Sequence, residues 1–285
     1  MRNILYSILL LSLVVVTACR KSDNATMPDG IVYLNQPQIT KVSGAPAILD
    51  TDPMSFKAKI KVDLYFKDSN KPDYLDLVVV KNGDAKNAKV IQSKINTYPV
   101  EFEVSGSMLS QLFGGTIKSG DNFDFGANYI VGGKTYAAFP EGGGASYGSG
   151  VATQAGASPT VRYSAICGFD VDAFLGDGKF DVTVDGWADF GIGTPVRVVK
   201  VDASTIALKY DDYYPGFKDV ILKVNTGDNT VTVAKQQVGD YGSWAYGIFS
   251  VESAGGGTAN YVNPCNGVIR VNLGYTVAAD RRAHV

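Results

Sequence analysis

The sequence predicts an all-β chain: an N-terminal immunoglobulin-like β-sandwich followed by a small antiparallel β-barrel. Three observations carry that expectation. Strand and turn residues dominate, with 32 Gly, 16 Tyr and 13 Phe against 4 Glu in 285 residues, a balance poor in helix formers. The segment Ser55 to Phe66 alternates apolar and polar side chains with period two, as a strand with one buried and one wet face requires. Short apolar runs then recur between turn dipeptides such as Asn82-Gly83 and Gly132-Gly133, at the spacing of strands.

Residues 1–18, MRNILYSILLLSLVVVTA, read as an export leader, with Arg2 as the positive end, Ile4 to Val16 as the apolar stretch and Thr17-Ala18 as the small residues before a cut. The apolar stretch is shorter than the roughly 20 residues of a spanning helix. Val16-Thr17-Ala18-Cys19 resembles the lipobox of bacterial lipoproteins, which implies cleavage before Cys19 and lipid on its thiol. Several acyl chains on one residue hold a membrane far better than a single chain does. Residues 19–30 are polar and aperiodic, as a flexible tether would be. Asp23 resembles the surface-export signal of some Gram-negative lipoproteins. The expected location is therefore the outer membrane, lipid-anchored and facing the cell exterior.

Residues 31–159 form the expected sandwich. In Ser55 to Phe66 the alternation places Phe56, Ala58, Ile60, Val62, Leu64 and Phe66 inside and Lys57, Lys59, Lys61, Asp63 and Tyr65 outside. Leu75 to Val80 leads through Asn82-Gly83 toward Ala88 to Ile91 as a hairpin, and Gly132-Gly133 joins Asn128-Val131 to Lys134-Phe139 as another. Ser107 to Phe113 reads as one short helix, capped by Ser107 and ended by Gly114-Gly115. About seven strands around one core suit the immunoglobulin-like arrangement.

A stretch rich in Gly, Ser and Ala, Gly142 to Ser158, divides the halves and sets the expected boundary near residue 160. From 160 to 285 eight strands are expected, opening with Val161-Phe169 and closing with Val268-Val277. Most of their connections look too short for crossover helices, so antiparallel meander pairing follows. Closure into a barrel of the lipocalin or calycin kind would leave no sheet edge exposed, and a second sandwich is the alternative. With Cys19 assigned to lipid, Cys167 and Cys265 remain, and in an exported chain they are expected to form a disulfide between the first and last strands of the second half. Two buried free thiols are the alternative.

The formal net charge is -2 and no Lys/Arg-rich run occurs, so nucleic acid is not an expected partner. The single histidine, His284, lies one residue from the end of the sequence, which leaves no Ser-His-Asp or Cys-His pair and no His/Cys zinc set. No catalytic residue, metal or cofactor is expected. Paired carboxylates could still hydrolyse a glycoside, but most of the 24 Asp sit in turn contexts. The run Asp170-Val-Asp172 to Asp177-Gly178 has part of a calcium loop, with Phe174 where a third oxygen belongs and no closing Glu.

Aromatic residues in polar connectors point instead to binding. Tyr213 and Tyr214 lie in DDYYPGFKD, and Trp244 and Tyr246 in DYGSWAYG. A ring in such a connector can meet the C–H face of a sugar while neighbouring Asp or Asn groups orient its hydroxyls. Trp187, in DGWADF, is expected to seal the barrel.

The lipobox at Cys19, the segment DYLDLVVVKNGD, the hairpin FGANYIVGGKTYAAFP and the trailing β-domain together resemble SusE-type outer-membrane lipoproteins, which accompany polysaccharide-uptake systems of Gram-negative gut bacteria. The resemblance implies display at the cell surface, an immunoglobulin-like spacer, sugar binding by distal domains, and oligosaccharide or outer-membrane transport proteins as partners. The expectation is a non-catalytic lipoprotein that binds glycan or assists such a complex. A structural or adhesive protein-binding lipoprotein, a glycoside hydrolase and a barrel holding an apolar ligand are the alternatives.

Overall fold

Period-two alternation assembles the first half. In the computed structural model, which describes residues 34–144, 150, 153–175, 180–184, 191–209, 216–240, 247–255 and 259–277, the strands run β1 (Pro37–Gly44), β2 (Ile48–Leu49), β3 (Lys57–Leu64), β4 (Tyr74–Lys81), β5 (Lys89–Ile95) and β6 (Val100–Ser105). Helix α1 (Gly106–Phe113) comes next, then β7 (Asn122–Val131), β8 (Lys134–Tyr136) and β9 (Val161–Ile166). Phe56, Ala58, Ile60, Val62 and Leu64 are buried as the alternation requires. Phe66 is not: it is 44% exposed, because β3 ends at Leu64 and the chain turns away before reaching it.

Two sheets enclose this core. One has the order β1-β3-β6, and the other β2-β9-β7-β4-β5 with β8 paired to the far end of β7. The chain crosses between sheets from β1 to β2, and β2 runs parallel to β9 while the other ladders are antiparallel. This is the strand order of an immunoglobulin-like sandwich. The hairpin turns follow their dipeptides. Asn82 and Gly83 take φ of 54° and 73°, and Gly132 and Gly133 take 58° and 73°, the left-handed pair that matches the twist of the flanking strands. The helix starts earlier than expected: Ser105, not Ser107, is the cap, its Oγ accepting from Met108 N–H at 3.2 Å.

The boundary expected near residue 160 moves. Val161–Ile166 does not open the second half but pairs with β7, Phe123 facing Tyr163 and Phe125 facing Val161. Tyr163 lies 5.1 Å from the Phe56 ring and 5.8 Å from the Phe125 ring, so it belongs to the sandwich core. Arg162 forks onto Asp124 beside it, with Nε and a terminal nitrogen at 2.7 and 2.9 Å from the two carboxylate oxygens. The Gly- and Ser-rich stretch is thus part of the connection between the last two strands of the sandwich.

Beyond a 3₁₀ turn at Val171–Phe174 the second half continues with β10 (Phe180–Asp181), β11 (Pro195–Lys200), β12 (Thr205–Lys209), β13 (Val220–Val224), β14 (Val231–Thr232), β15 (Gln236–Asp240), β16 (Ile248–Ser253), β17 (Tyr261–Asn263), β18 (Val268–Arg270) and β19 (Leu273–Val277). Every ladder in it is antiparallel, as short connections dictate. Lys218 N–H donates to Val238 O at 2.7 Å and Ser253 N–H to Val233 O at 2.9 Å, which carries the meander from β13 around to β16. The curl wraps a core that includes Val198, Ile206, Leu208, Leu222, Val238 and Val251. The barrel is partial: among the described residues β10 pairs with β11, β19 pairs with β16, and no ladder joins β19 back to β10. The 3₁₀ turn packs against this core beside β10, and Phe174 stacks on Phe180 with centroids 6.0 Å apart.

Placing β9 in the first core has a direct consequence for truncation. A chain stopped at residue 159 is expected to lose the cooperative urea transition that one stopped at residue 175 retains. In the full chain, Tyr163→Ala is expected to cost about 3–5 kcal/mol in urea unfolding, as loss of a large buried ring does. An unchanged midpoint would remove Tyr163 from the core.

Candidate functional site

The register of the second half gathers one end of the curled sheet. Arg197 faces Lys209, Leu208 faces Val220, Asp240 faces Ile248 and Phe249 faces Val277. The β15 strand runs against the start of β13 through the Lys218–Val238 hydrogen bond. The starts of β11, β13 and β16 and the ends of β12, β15 and β19 therefore lie together. Three connections leave from this end: β10 to β11, β12 to β13, and β15 to β16. In sequence these are the segments that contain Trp187, Tyr213 with Tyr214, and Trp244 with Tyr246, and all five residues lie outside the described residues, as do Cys19 and His284.

The described frame at this end is aromatic and apolar. Phe217, on the approach to β13, meets Phe249 edge-on at 5.0 Å, and Phe249 lies 6.5 Å from Tyr275. Gly239 makes room for the Phe249 ring, since a Cβ there would sit 2.1 Å from it. In the β10–β11 hairpin, Val182 N–H donates to Thr194 O at 2.9 Å and Gly193 N–H to Val182 O at 2.8 Å. Beyond that ladder Val184 is 86% exposed and Ile192 78% exposed. Ile248 and Val277 are also exposed at this end. Val277 faces Phe249 across the ladder, so it and Ile248, the residue before Phe249, stand on opposite faces of the sheet. Lys209 Nζ and Asp219 form an ion pair at 3.4 Å on the same rim. The residue pattern did not single out Phe249 and Tyr275, whose period-two positions in IFSV and LGYTV were the only signal.

A second concavity lies in the sandwich, where the tail of β5 turns into β6. Its volume is about 200 Å³, and its lining includes Gln92, Asn96 and Thr97 together with Ile95, Val100 and Phe102. Lys94 takes a left-handed φ of 56° there, and its N–H donates to Asp76 Oδ1 at 2.8 Å. Tyr98 donates its hydroxyl proton to Ile95 O at 2.6 Å. Burial, reinforced by the neighbouring Tyr129, pushes the Tyr98 phenol up to about 12, so it stays a neutral donor.

The cysteines meet. Cys167 and Cys265 are joined with Cα atoms 5.6 Å apart across 98 residues. Cys167 follows β9 and Cys265 sits in the β17–β18 turn, so the bond ties the sandwich to the meander instead of joining two strands of the second half. The Ser119 hydroxyl lies 3.2 Å from Cys265 Sγ and 3.3 Å from Cys167 Sγ. Asn229 Nδ2 donates to Cys167 O at 2.8 Å across the same junction. Asp121 organises the turn that presents Ser119. Burial alone would raise its carboxyl, but hydrogen bonds from Lys81 Nζ, Asn82 Nδ2 and Lys118 N–H, the latter two at 3.0 Å, outweigh it and hold the carboxyl below the usual range.

The calcium-like run resolves into local contacts. Asp170 Oδ1 accepts from Asp172 N–H at 2.9 Å, and Asp172 Oδ1 pairs with Lys200 Nζ at 2.8 Å. Asp177 lies outside the described residues. Among the described residues no three His, Cys, Asp or Glu side chains cluster as metal ligands would. No protein-family model, curated protein or solved structure matches the chain.

Replacing both Cys167 and Cys265 by Ser is expected to cost about 4–5 kcal/mol, the loop-closure value for a loop of about 100 residues, read from urea midpoints with and without reductant. Reductant should leave the Ser variant unchanged. For Asp121 the folded pKa lies below the unfolded one, so its contribution is fully present above the unfolded value of about 3.9 and disappears as pH falls through the lowered folded value. Asp121→Asn should therefore be less stable than the parent at neutral pH, by about 1–3 kcal/mol, and the two should converge in acid. A gap that persists at low pH would assign the effect to shape and not to charge.

Proposed function

We propose that this protein is a lipid-anchored outer-membrane lipoprotein that holds glycan, without catalysis, at the open end of its C-terminal curled sheet. The observation that carries the reading is the register: three connections, each containing Trp or Tyr in a polar setting, start from strand ends that lie together. Separate in sequence by up to about sixty residues, the aromatic residues could serve one ligand only if their strands end on the same side. Apolar faces beside acidic side chains such as Asp219 and Asp240 suit a ligand with C–H faces and ring hydroxyls. The resemblance to SusE-type lipoproteins supports the same reading, with the sandwich as a spacer and an outer-membrane transport complex as partner.

The exposed Val184 and Ile192 of the β10–β11 hairpin favour a second reading, in which the same end contacts a protein. Calorimetry of the soluble body against a panel of polysaccharides separates the two. Sugar binding should appear for at least one polysaccharide, and Trp244→Ala and Tyr213→Ala should each weaken it by about tenfold or more, as loss of about 1.4 kcal/mol does. Binding that survives both substitutions, or no binding together with a cross-linked protein partner on intact cells, would overturn the glycan site. The anchor is tested separately: labelled palmitate should enter the parent chain and not Cys19→Ala, and protease added to whole cells should remove the body if it faces outward.

A further inference from the structure

The dipeptide Asn-Gly occurs twice in the chain, at Asn82-Gly83 and Asn266-Gly267, and the fold surrounds the two in opposite ways. Asn82 is clamped. Its Nδ2 donates to Asp121 Oδ1 at 3.0 Å, its Oδ1 accepts from Asn122 N–H at 2.8 Å, and its own N–H donates to Asn122 O at 2.8 Å. Asn266 stands in the exposed turn between β17 and β18, one residue after Cys265. Its main-chain N–H reaches Asn263 O at a long 3.4 Å, and among the described residues neither its carboxamide nor the Gly267 N–H has a hydrogen-bond partner. Gly267 is at φ 65°, and a Cβ built on it would meet nothing within 4 Å.

We propose that Asn266-Gly267 is a site of spontaneous deamidation in the folded protein, and that Asn82-Gly83 is protected from the same reaction by its hydrogen bonds. The main-chain nitrogen of Gly267 loses its proton and attacks Cγ of Asn266. A new C–N bond closes a five-membered succinimide, and the carboxamide nitrogen leaves as ammonia with the proton it needs. Water then adds to either ring carbonyl, breaking one C–N bond, to leave Asp or isoaspartate at position 266. The net change is one water consumed and one ammonia released. Glycine matters because it has no Cβ to block the approach, and because it can swing its N–H through conformations closed to other residues. At Asn82 the same attack would require the carboxamide to leave both Asp121 and Asn122, and Asp121 is held as the carboxylate by Lys81 and Lys118.

The product is placed to matter. It adds a carboxylate beside Cys265, and in its isoaspartate form it adds a main-chain carbon to the turn across which Asn263 faces Val268. That turn carries the covalent link between the two halves.

The test is incubation of the folded, disulfide-bonded protein at mildly alkaline pH, followed by digestion in acid and peptide mapping by mass spectrometry. The peptide containing Asn266 is expected to gain the mass of an amide-to-acid exchange and to split into two chromatographic isomers. Asn82 should convert at least about tenfold more slowly, because the reaction there must first break the hydrogen bonds to Asp121 and Asn122. In the denatured chain the two sites should convert at similar rates. Asn266→Gln should abolish the early release of ammonia. Equal conversion of Asn82 and Asn266 in the folded protein would overturn the proposal, as would an Asn266 that stays intact over the time in which the denatured chain converts, or early ammonia release that persists in Asn266→Gln.

Discussion

The packing of Tyr163 between Phe56 and Phe125 sets the course of the chain from the sandwich into the meander. It holds β9 against β7, and with it Cys167, which comes directly after that strand. Lys41 adds to the same site, its ammonium 4.1 Å from the centre of the Tyr163 ring, where burial lowers the lysine below its ordinary value. The bidentate contact of Arg162 with Asp124 fixes the neighbouring residue on the outer face. Such forks add geometric specificity as well as energy. Here the consequence is register: a slip by one residue would turn Tyr163 to solvent and Arg162 into the core.

From that anchored strand the chain passes to the second half through a covalently linked junction. The disulfide, the Ser119 hydroxyl seated against both sulfurs and the Asn229 carboxamide on Cys167 O converge there. Asp121 positions this junction from the sandwich side, drawing on Lys81, Asn82 and the Lys118 N–H. The same carboxylate that shapes the junction also clamps Asn82, so one half-buried acid serves both the local chemistry of an Asn-Gly hairpin and the covalent link between halves. Residues Asn35–Val285 accordingly form one compact unit although they contain two separate apolar cores.

The second core illustrates how an antiparallel meander can present several connections at one end. Because neighbouring strands alternate direction, every second connection leaves from the same side. The connections that contain the aromatic segments start on that side, and the strand ends beneath them carry Phe217, Phe249 and Tyr275. A β-bulge at Gln237–Gly239 turns the edge of β15 here, and bulges commonly increase local twist where a sheet bends. Among the described residues the barrel stays partial, and Phe174 stacks on Phe180 beside the two-residue strand β10.

The secondary-structure class, the interior side of β3, both two-residue turns and the pairing of the two cysteines were legible in the residues alone. Each of these rests on local physics, namely side-chain alternation, left-handed φ at Asn-Gly and Gly-Gly, and an even count of thiols once Cys19 is set apart. The half to which β9 belongs depends on packing between distant segments. A Gly-rich stretch reads the same as a linker or as a long connection inside one sandwich, and the burial of Tyr163 between two rings is what distinguishes them. The same holds for the cap at Ser105, chosen because its Oγ meets Met108 N–H, and for the strand ends that lie together where three connections start, which depends on the register of strands far apart in the chain. The contrast between Asn82 and Asn266 is of this kind as well: identical dipeptides differ because Asp121 and Asn122 fold back onto one, whereas among the described residues no side chain folds back onto the other in the β17–β18 turn.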